Sequence, residues 1–250
     1  MPILTNITPK PTQNRLLAAL PAAMYARLAP DLELVPMRLG ETLYQSGSQM
    51  PYVYFPTTAI VSLLYFLKSG SCTEVASVGN EGMLGITLAI GGDSTLNTAV
   101  VQTAGHAYRL KAIALKNEIK KHSMILNLLL RYAQVLLAQI AQTGACNRHH
   151  SIEQQLCRWL LMTLDRLPCD DLVLTQDLVA TTLGVRRESI TEAAGNLQRA
   201  GLIRYRRGHI AVSDRSGLET HVCECYAVVR REMGGSLDTS YRQIVANAAA

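Results

Sequence analysis

Six arginines crowd the interval from Arg186 to Arg207, against only two acids, Glu188 and Glu192. Guanidinium groups at that density can neutralise phosphates and, in a bidentate fork, read guanine. The surrounding sequence, LTQDLVATTLGVRRESITEAAGNLQRAGLIRYRRGHIAV from Leu174 to Val212, indicates which element presents each of them. Thr175 is suited to cap a helix whose first turn carries Asp177. Gly184 ends that helix, with Ala180 before it and Val185 and Ile190 after it. A small residue lets two helices cross closely, a glycine permits the tight turn, and the aliphatics fill the shared core, which is the spacing of a helix-turn-helix. The second helix is predicted from about Arg187 to Ala200, with Gly201 as its stop. Its first turn presents Arg187, Glu188, Ser189, Thr191 and Glu192 outward, where recognition helices meet base edges. Beyond Gly201, apolar and basic residues alternate to Val212 around Arg207-Gly208, as in a hairpin wing that turns arginines toward phosphate. Thr175, Gln176, Arg186, Arg204, Arg206 and Arg207 complete the expected DNA-binding set.

Two further clusters carry reactive side chains. Cys146-Asn147-Arg148-His149-His150 falls at an expected hinge, and His221-Val222-Cys223-Glu224-Cys225 follows the wing. Either could hold a soft metal or act as a redox thiol pair. A metal usually takes four well-placed donors, so packing and capping roles are expected for both, and no metal site. The six cysteines show no repeated close pairing, which fits a cytoplasmic protein with reduced thiols. The β-rich region holds one histidine, His106, and no His-x-His pair, which argues against a cupin-like metal enzyme. No catalytic residue is assigned, and the chain is not expected to be an enzyme.

The elements that must position these residues follow from the pattern of the whole chain. At 250 residues, 48% hydrophobic and 17% charged, it can bury two modest cores. Its formal net charge of +5 alone decides nothing; the concentration of charge in one segment does. Residues 12–30 read as a short helical lead-in split at Pro21. From there to about residue 111, short β-like segments alternate with glycine turns, as in a β-sandwich or barrel. Tyr52, Tyr54, Phe55, Tyr65 and Phe66 fall on successive strands there and are expected in the core. A long helix should then run from Ala112 or Ser123 through Ala145. Leu126, Leu129, Ala133, Leu136 and Ile140 keep the 3-4 spacing of a coiled-coil seam, beside a second apolar line of Ile125, Leu128, Tyr132 and Val135. Two apolar sides need two covers, one the chain's own β-region and one a second subunit. The most apolar stretch, Met124 to Ala141, is interrupted by Asn127, Arg131, Gln134 and Gln139, so no membrane span is expected.

In this order of elements, from about Asn14 to Met233, the chain resembles the Crp–Fnr superfamily of transcription regulators. GVRRESIT is similar to the family's usual recognition-helix entry, Gly-Val-Ser-Arg-Glu-Thr-Val. The resemblance implies an α+β fold with a cyclic-nucleotide-binding-like β-roll (jelly roll) over 1–122, a dimerisation helix over 123–147 and a winged helix-turn-helix domain over 148–233; beyond it, the sequence after Gly234-Gly235 reads as a flexible tail over 234–250. It also implies a homodimer on a palindromic operator in double-stranded DNA, base contacts from Arg187 and Glu188, and RNA polymerase as a partner where the protein activates. Glu192 stands where the usual pattern has another arginine, so the operator should differ from the standard one. In cyclic-nucleotide-binding members a Gly-Glu pair holds the ribose, and an Arg-Ser or Arg-Thr pair holds the phosphate. Here Gly85-Ile86 and Asn97-Thr98 occupy those places. A buried phosphate without its charged partner binds poorly, so cyclic AMP is not the expected effector, and the cofactor stays unassigned.

Overall fold

The computed structural model describes residues 8–167, 171–173, 175–206 and 209–234. Two short helices, α1 (Arg15–Ala18) and α2 (Ala22–Leu28), lead into the strands, and Pro21 separates them as the residue before α2. Asn14 fastens this lead-in. Its Oδ1 accepts from the backbone N–H groups of Leu16 (3.1 Å) and Leu17 (3.2 Å), while its Nδ2 donates to the carbonyls of Pro56 (2.9 Å) and Gly82 (2.7 Å). Helix capping and attachment to the β-layer thus come from one fully buried side chain.

Seven strands follow: β1 (Glu33–Met37), β2 (Thr42–Tyr44), β3 (Tyr52–Pro56), β4 (Ile60–Phe66), β5 (Cys72–Val78), β6 (Thr98–Thr103) and β7 (Gly105–Lys111). They pair antiparallel in two sheets, ordered β1-β7-β3 and β2-β6-β4-β5, and form the expected β-roll. Strand alternation places Val53 and Phe55 in the core and leaves Tyr52 and Tyr54 half-buried, with Tyr52 beneath the Arg109 guanidinium. Tyr65 and Phe66 depart from their expected core placement. They lie beyond Leu64, the last β4 residue paired to β6, on a part of the β4–β5 hairpin that no third strand covers, and both are exposed.

Helix α3 (Ala112–Lys121) is separated from α4 (Ser123–His149) by His122, whose backbone is extended. The long helix therefore starts at the later of its two expected positions and runs four residues past its expected end. At 27 residues it is roughly 40 Å long. Its length and apolar composition would also suit a membrane span. Here Ile125, Leu128, Leu129, Tyr132 and Leu136 close the β-roll core, which accounts for one apolar side.

Two of the expected seam residues face the chain's own core. Leu129 (3% exposed) and Leu136 (8%) belong to the chain's own core, whereas Leu130 (44%) and Leu137 (66%) are bare. The neighbouring line Leu126, Leu130, Ala133, Leu137 and Ile140 keeps the 4-3 spacing; on it Leu130 and Leu137 are exposed, and Leu126, Ala133 and Ile140 are half-buried.

A second core begins with α5 (Ile152–Leu164) and includes β8 (Asp171–Val173), α6 (Gln176–Leu183), α7 (Arg187–Arg199), β9 (Ile203–Arg206), β10 (His209–Val212), α8 (Arg215–His221) and a last helix, α9 (225–234). Helix α5 opens with a reciprocal capping box between Ser151 and Gln154. Strand β8 adds a third strand to the wing, in the order β8-β10-β9.

The two cores meet across a polar layer. Gln102 Nε2 on β6 donates to Thr163 Oγ1 on α5 (3.4 Å), and the Ser62 hydroxyl lies within hydrogen-bond reach of both Gln102 Oε1 (3.1 Å) and the Glu74 carboxyl. Burial pushes the Glu74 carboxyl up from 4.5 to about 7, against the opposing pull of the Ser62 hydrogen bond and of Arg166 and Arg158. A carboxyl raised in the folded state contributes fully below its unfolded value of 4.5, and that contribution is lost as pH climbs through about 7. Glu74→Gln should therefore be more stable than the wild type at pH 8 by roughly 1–3 kcal/mol, with the gap closing toward pH 4. Urea unfolding midpoints across that pH range measure it.

Candidate nucleic-acid interface

The helix-turn-helix forms where the sequence places it. Thr175 Oγ1 accepts from the Leu178 N–H (3.1 Å), and Asp177 stands in the first turn of α6. Gly184 adopts φ +68°, which lets the Val185 N–H return to the Ala180 carbonyl (3.0 Å). Helix α7 starts three residues later and buries Ile190, Ala193, Ala194 and Leu197 in the second core. Its opposite face carries Arg187, Glu188, Thr191 and Glu192, all exposed, with Ser189 half-buried at its edge. Gly201 (φ +77°) then reverses the chain into β9.

Arg187 does not hang free. Its Nε donates to Gln176 Oε1 (3.2 Å) and lies 3.5 Å from Asp177 Oδ1, so the start of the recognition helix leans on the start of α6. Both members of that ion pair are more than half exposed, so it is a weak holding contact that a stronger acceptor can replace. The Thr191 hydroxyl is spent on the Arg187 carbonyl (3.1 Å). On the wing, Arg206 pairs with His209 and Tyr205 with Ile210, and Arg204 and Arg206 point outward. Arg207 and Gly208, the expected turn, lie outside the described residues. Gln198 and Arg199 are exposed further along α7 and were not singled out from the sequence. Counting four, four and three residues onward from Arg187 reaches 191, 195 and 198 on one stripe, and that count would have found Gln198.

The β-roll reaches this interface directly. A Cβ built on Gly184 would stand 2.9 Å from Thr73 Oγ1 of β5, so the turn of the helix-turn-helix rests on the β4–β5 hairpin. A cavity of about 170 Å³ in the roll opens against α4. Ile86 and Asn97 line it with Gly85, Thr87, Leu136 and Ile140, while Thr98 opens β6 beside it. Among the described residues, no arginine or lysine lines this cavity. Asn97 Oδ1 and Thr87 Oγ1 are buried there without a hydrogen-bond partner.

The two cysteine–histidine clusters, far apart in sequence, converge. Cys146, on the last turn of α4, lies 3.6 Å from Cys223, and Cys225 lies 3.5 Å from His150 Nδ1. Burial pushes the Cys146 thiol up to about 12. His149 is exposed, and His221 turns away to Glu153 (3.2 Å).

Residues 154–221 match the Crp-like helix-turn-helix domain. No curated protein sequence matches the chain. Among solved structures, a putative Crp/Fnr-family transcriptional regulator from Eubacterium rectale is similar at 16% identity and TM-score 0.66, over 84% of this chain and 98% of that one. FixK2 from Bradyrhizobium japonicum is similar at 17% identity and TM-score 0.67, over 77% and 98% of the two chains. A Crp/Fnr-family transcriptional regulator from Thermus thermophilus gives 22% and 0.61, over 78% and 98%. Residues 154–221 therefore carry a Crp-like helix-turn-helix domain, and the chain as a whole shares the fold of these solved structures. Its elements run in the order β-roll, long helix and Crp-like helix-turn-helix.

The Gly184 turn can be tested by itself. Gly184→Ala should lower stability by about 1–2 kcal/mol from the left-handed backbone alone, with a further loss from the clash with Thr73. Adding Thr73→Ala should restore only that further part, as read from urea midpoints of the single and double variants.

Proposed function

We propose that the chain acts as a homodimer that binds a palindromic operator and regulates transcription. Arg187 and Glu188 read base edges, and Arg204, Arg206 and Arg207 hold phosphate. The observation that carries this reading is the division of α7 into a buried apolar face and an exposed face headed by Arg187 and Glu188 beside the arginine-bearing wing. Arginine suits guanine O6 and N7, and glutamate suits the cytosine amino group. Because Glu192 cannot make an arginine's contacts, the half-site is distinct at that position.

Dimerisation is supported by the line Leu126, Leu130, Ala133, Leu137 and Ile140, on which Leu130 and Leu137 are exposed and the other three are half-buried. An apolar stripe on so long a helix is expected to meet its own copy. For the effector, the wall at Ile86 and Asn97 offers hydrophobic surface and two unpaired oxygens rather than a cation. It favours a small, mainly apolar ligand with a hydrogen-bond donor over a cyclic nucleotide.

Binding to selected and scrambled DNA across a salt series tests the interface. Arg187→Ala should lose roughly 1–3 kcal/mol on the selected sequence and relax preference at one base pair per half-site. Arg206→Ala should weaken all DNA alike and shallow the log-affinity against log-salt slope by about one for each half-site. Equal loss by Arg187→Ala on both DNAs would put another element in the groove. For assembly, Leu137→Glu should give a folded monomer by sedimentation and circular dichroism, because the new charge meets its copy across the seam. Leu136→Glu, aimed into the β-roll core, should instead unfold the chain.

A further inference from the structure

Cys146, His150, Cys223 and Cys225 each bring one donor atom to a single point, with all four atoms within 4.8 Å of one another. Neither DNA reading nor the β-roll cavity uses them. Three of the four are buried, and His150 is half-buried. The spacing fits a small ion. Tetrahedral zinc with Zn–S near 2.3 Å and Zn–N near 2.0 Å implies S···S edges of about 3.8 Å and S···N edges of about 3.6 Å. Cys146 Sγ to Cys223 Sγ is 3.6 Å, and Cys225 Sγ to His150 Nδ1 is 3.5 Å.

The surroundings are also those of a metal site. His150 turns Nε2 to the Glu224 carboxylate (3.4 Å), which orients the ring and leaves Nδ1 for the cluster. Gln142 Nε2 donates to Cys225 Sγ (3.0 Å). A separate observation concerns charge. Arg158 on α5 is 4% exposed, forms no ion pair among the described residues and has a buried Nε without a partner. Its Nη1 reaches only the Thr143 hydroxyl (3.2 Å) and the Met162 sulfur (3.7 Å), and its positive charge acts on Cys146. Three thiolates and a neutral imidazole around a divalent cation leave one negative charge, a counter-charge for Arg158 alongside that of Glu74.

We infer that Cys146, His150, Cys223 and Cys225 form a tetrahedral site for a soft divalent cation of the zinc class. Binding exchanges the three thiol protons for the cation, releases them to solvent and changes no oxidation state. Cys146 and His150 come from the end of α4, while Cys223 lies in the link between α8 and α9 and Cys225 opens α9. The cation would therefore clip the DNA-binding half to the long helix across the Ser151 joint.

Full-length protein, purified with reductant and without chelator, provides the test. Native mass spectrometry should show one zinc per chain. Cobalt(II) should bind at one equivalent, with the intense d–d bands of a tetrahedral ion and a thiolate-to-cobalt charge-transfer band, and zinc should displace it. Cys146→Ser and Cys223→Ser should each weaken cobalt binding more than about 10-fold. Cys72→Ser, on the distant β4–β5 hairpin, should leave it unchanged. If a ligand variant fails to fold, the wild-type mass increment and cobalt spectrum still decide. Absence of a bound ion, an octahedral cobalt spectrum, an equal loss in Cys72→Ser, or a Cys146–Cys223 disulfide under reductant would each overturn the site.

Discussion

The arrangement of the two halves depends on one buried ion pair. Arg166, just after α5, lies 3.0 Å from Glu81 in the loop after β5, and both side chains are almost fully enclosed. Neither charge is tolerable alone at that depth; removing one partner of such a pair typically costs about 3–5 kcal/mol. Arg166 also donates to the Ser77 hydroxyl (2.8 Å) and carbonyl (3.1 Å), and the Gly79 N–H donates to Glu81 (3.1 Å). These bonds are made together where the chain just after α5 meets β5 and the loop that follows it. Because α5 is the spine of the second core, the positions of α6 and α7 relative to the roll follow from it. The pair acts less as glue than as a register mark.

What could be read in the sequence was what local chemistry controls. The helix-turn-helix was legible because Thr175, Ala180, Gly184 and Val185 each do their work within a few residues, and the structure places the cap, the crossing and the turn as their types require. The apolar period of α4 was legible, but which of its stripes the β-roll covers was not. A 3-4 pattern on an apolar helix allows two adjacent stripes, and only the β-roll, assembled from distant strands, decides which one it covers. Helix α5 gave no stripe, because every residue from Gln155 to Leu164 is buried, which erases the amphipathic signal. Strand β8 is too short to show alternation. The convergence of Cys146 and His150 with Cys223 and Cys225 is set by how α9 docks on α4, and spacing along the chain cannot reveal it.

Two elements touch both ends of the molecule. Helix α4 walls the roll cavity with Leu136 and Ile140 and ends at Cys146 and His150. Strand β5 carries Glu74 inside the polar layer and Thr73 beneath the Gly184 turn. A ligand entering the cavity meets α4 directly. Whatever preference it has among positions of α4 is the free energy available to redistribute the DNA-binding half.

Strand β5 has one more consequence. It ends the four-stranded sheet, so one side of its backbone has no neighbouring strand, and α4 and α6 are packed on it. An uncovered sheet border is a template onto which another chain can add a strand. The DNA-reading half therefore doubles as a guard over that border. Substitutions that loosen its seat should show up first as intermolecular strand addition and loss of solubility, before any change in how the recognition helix meets a base pair.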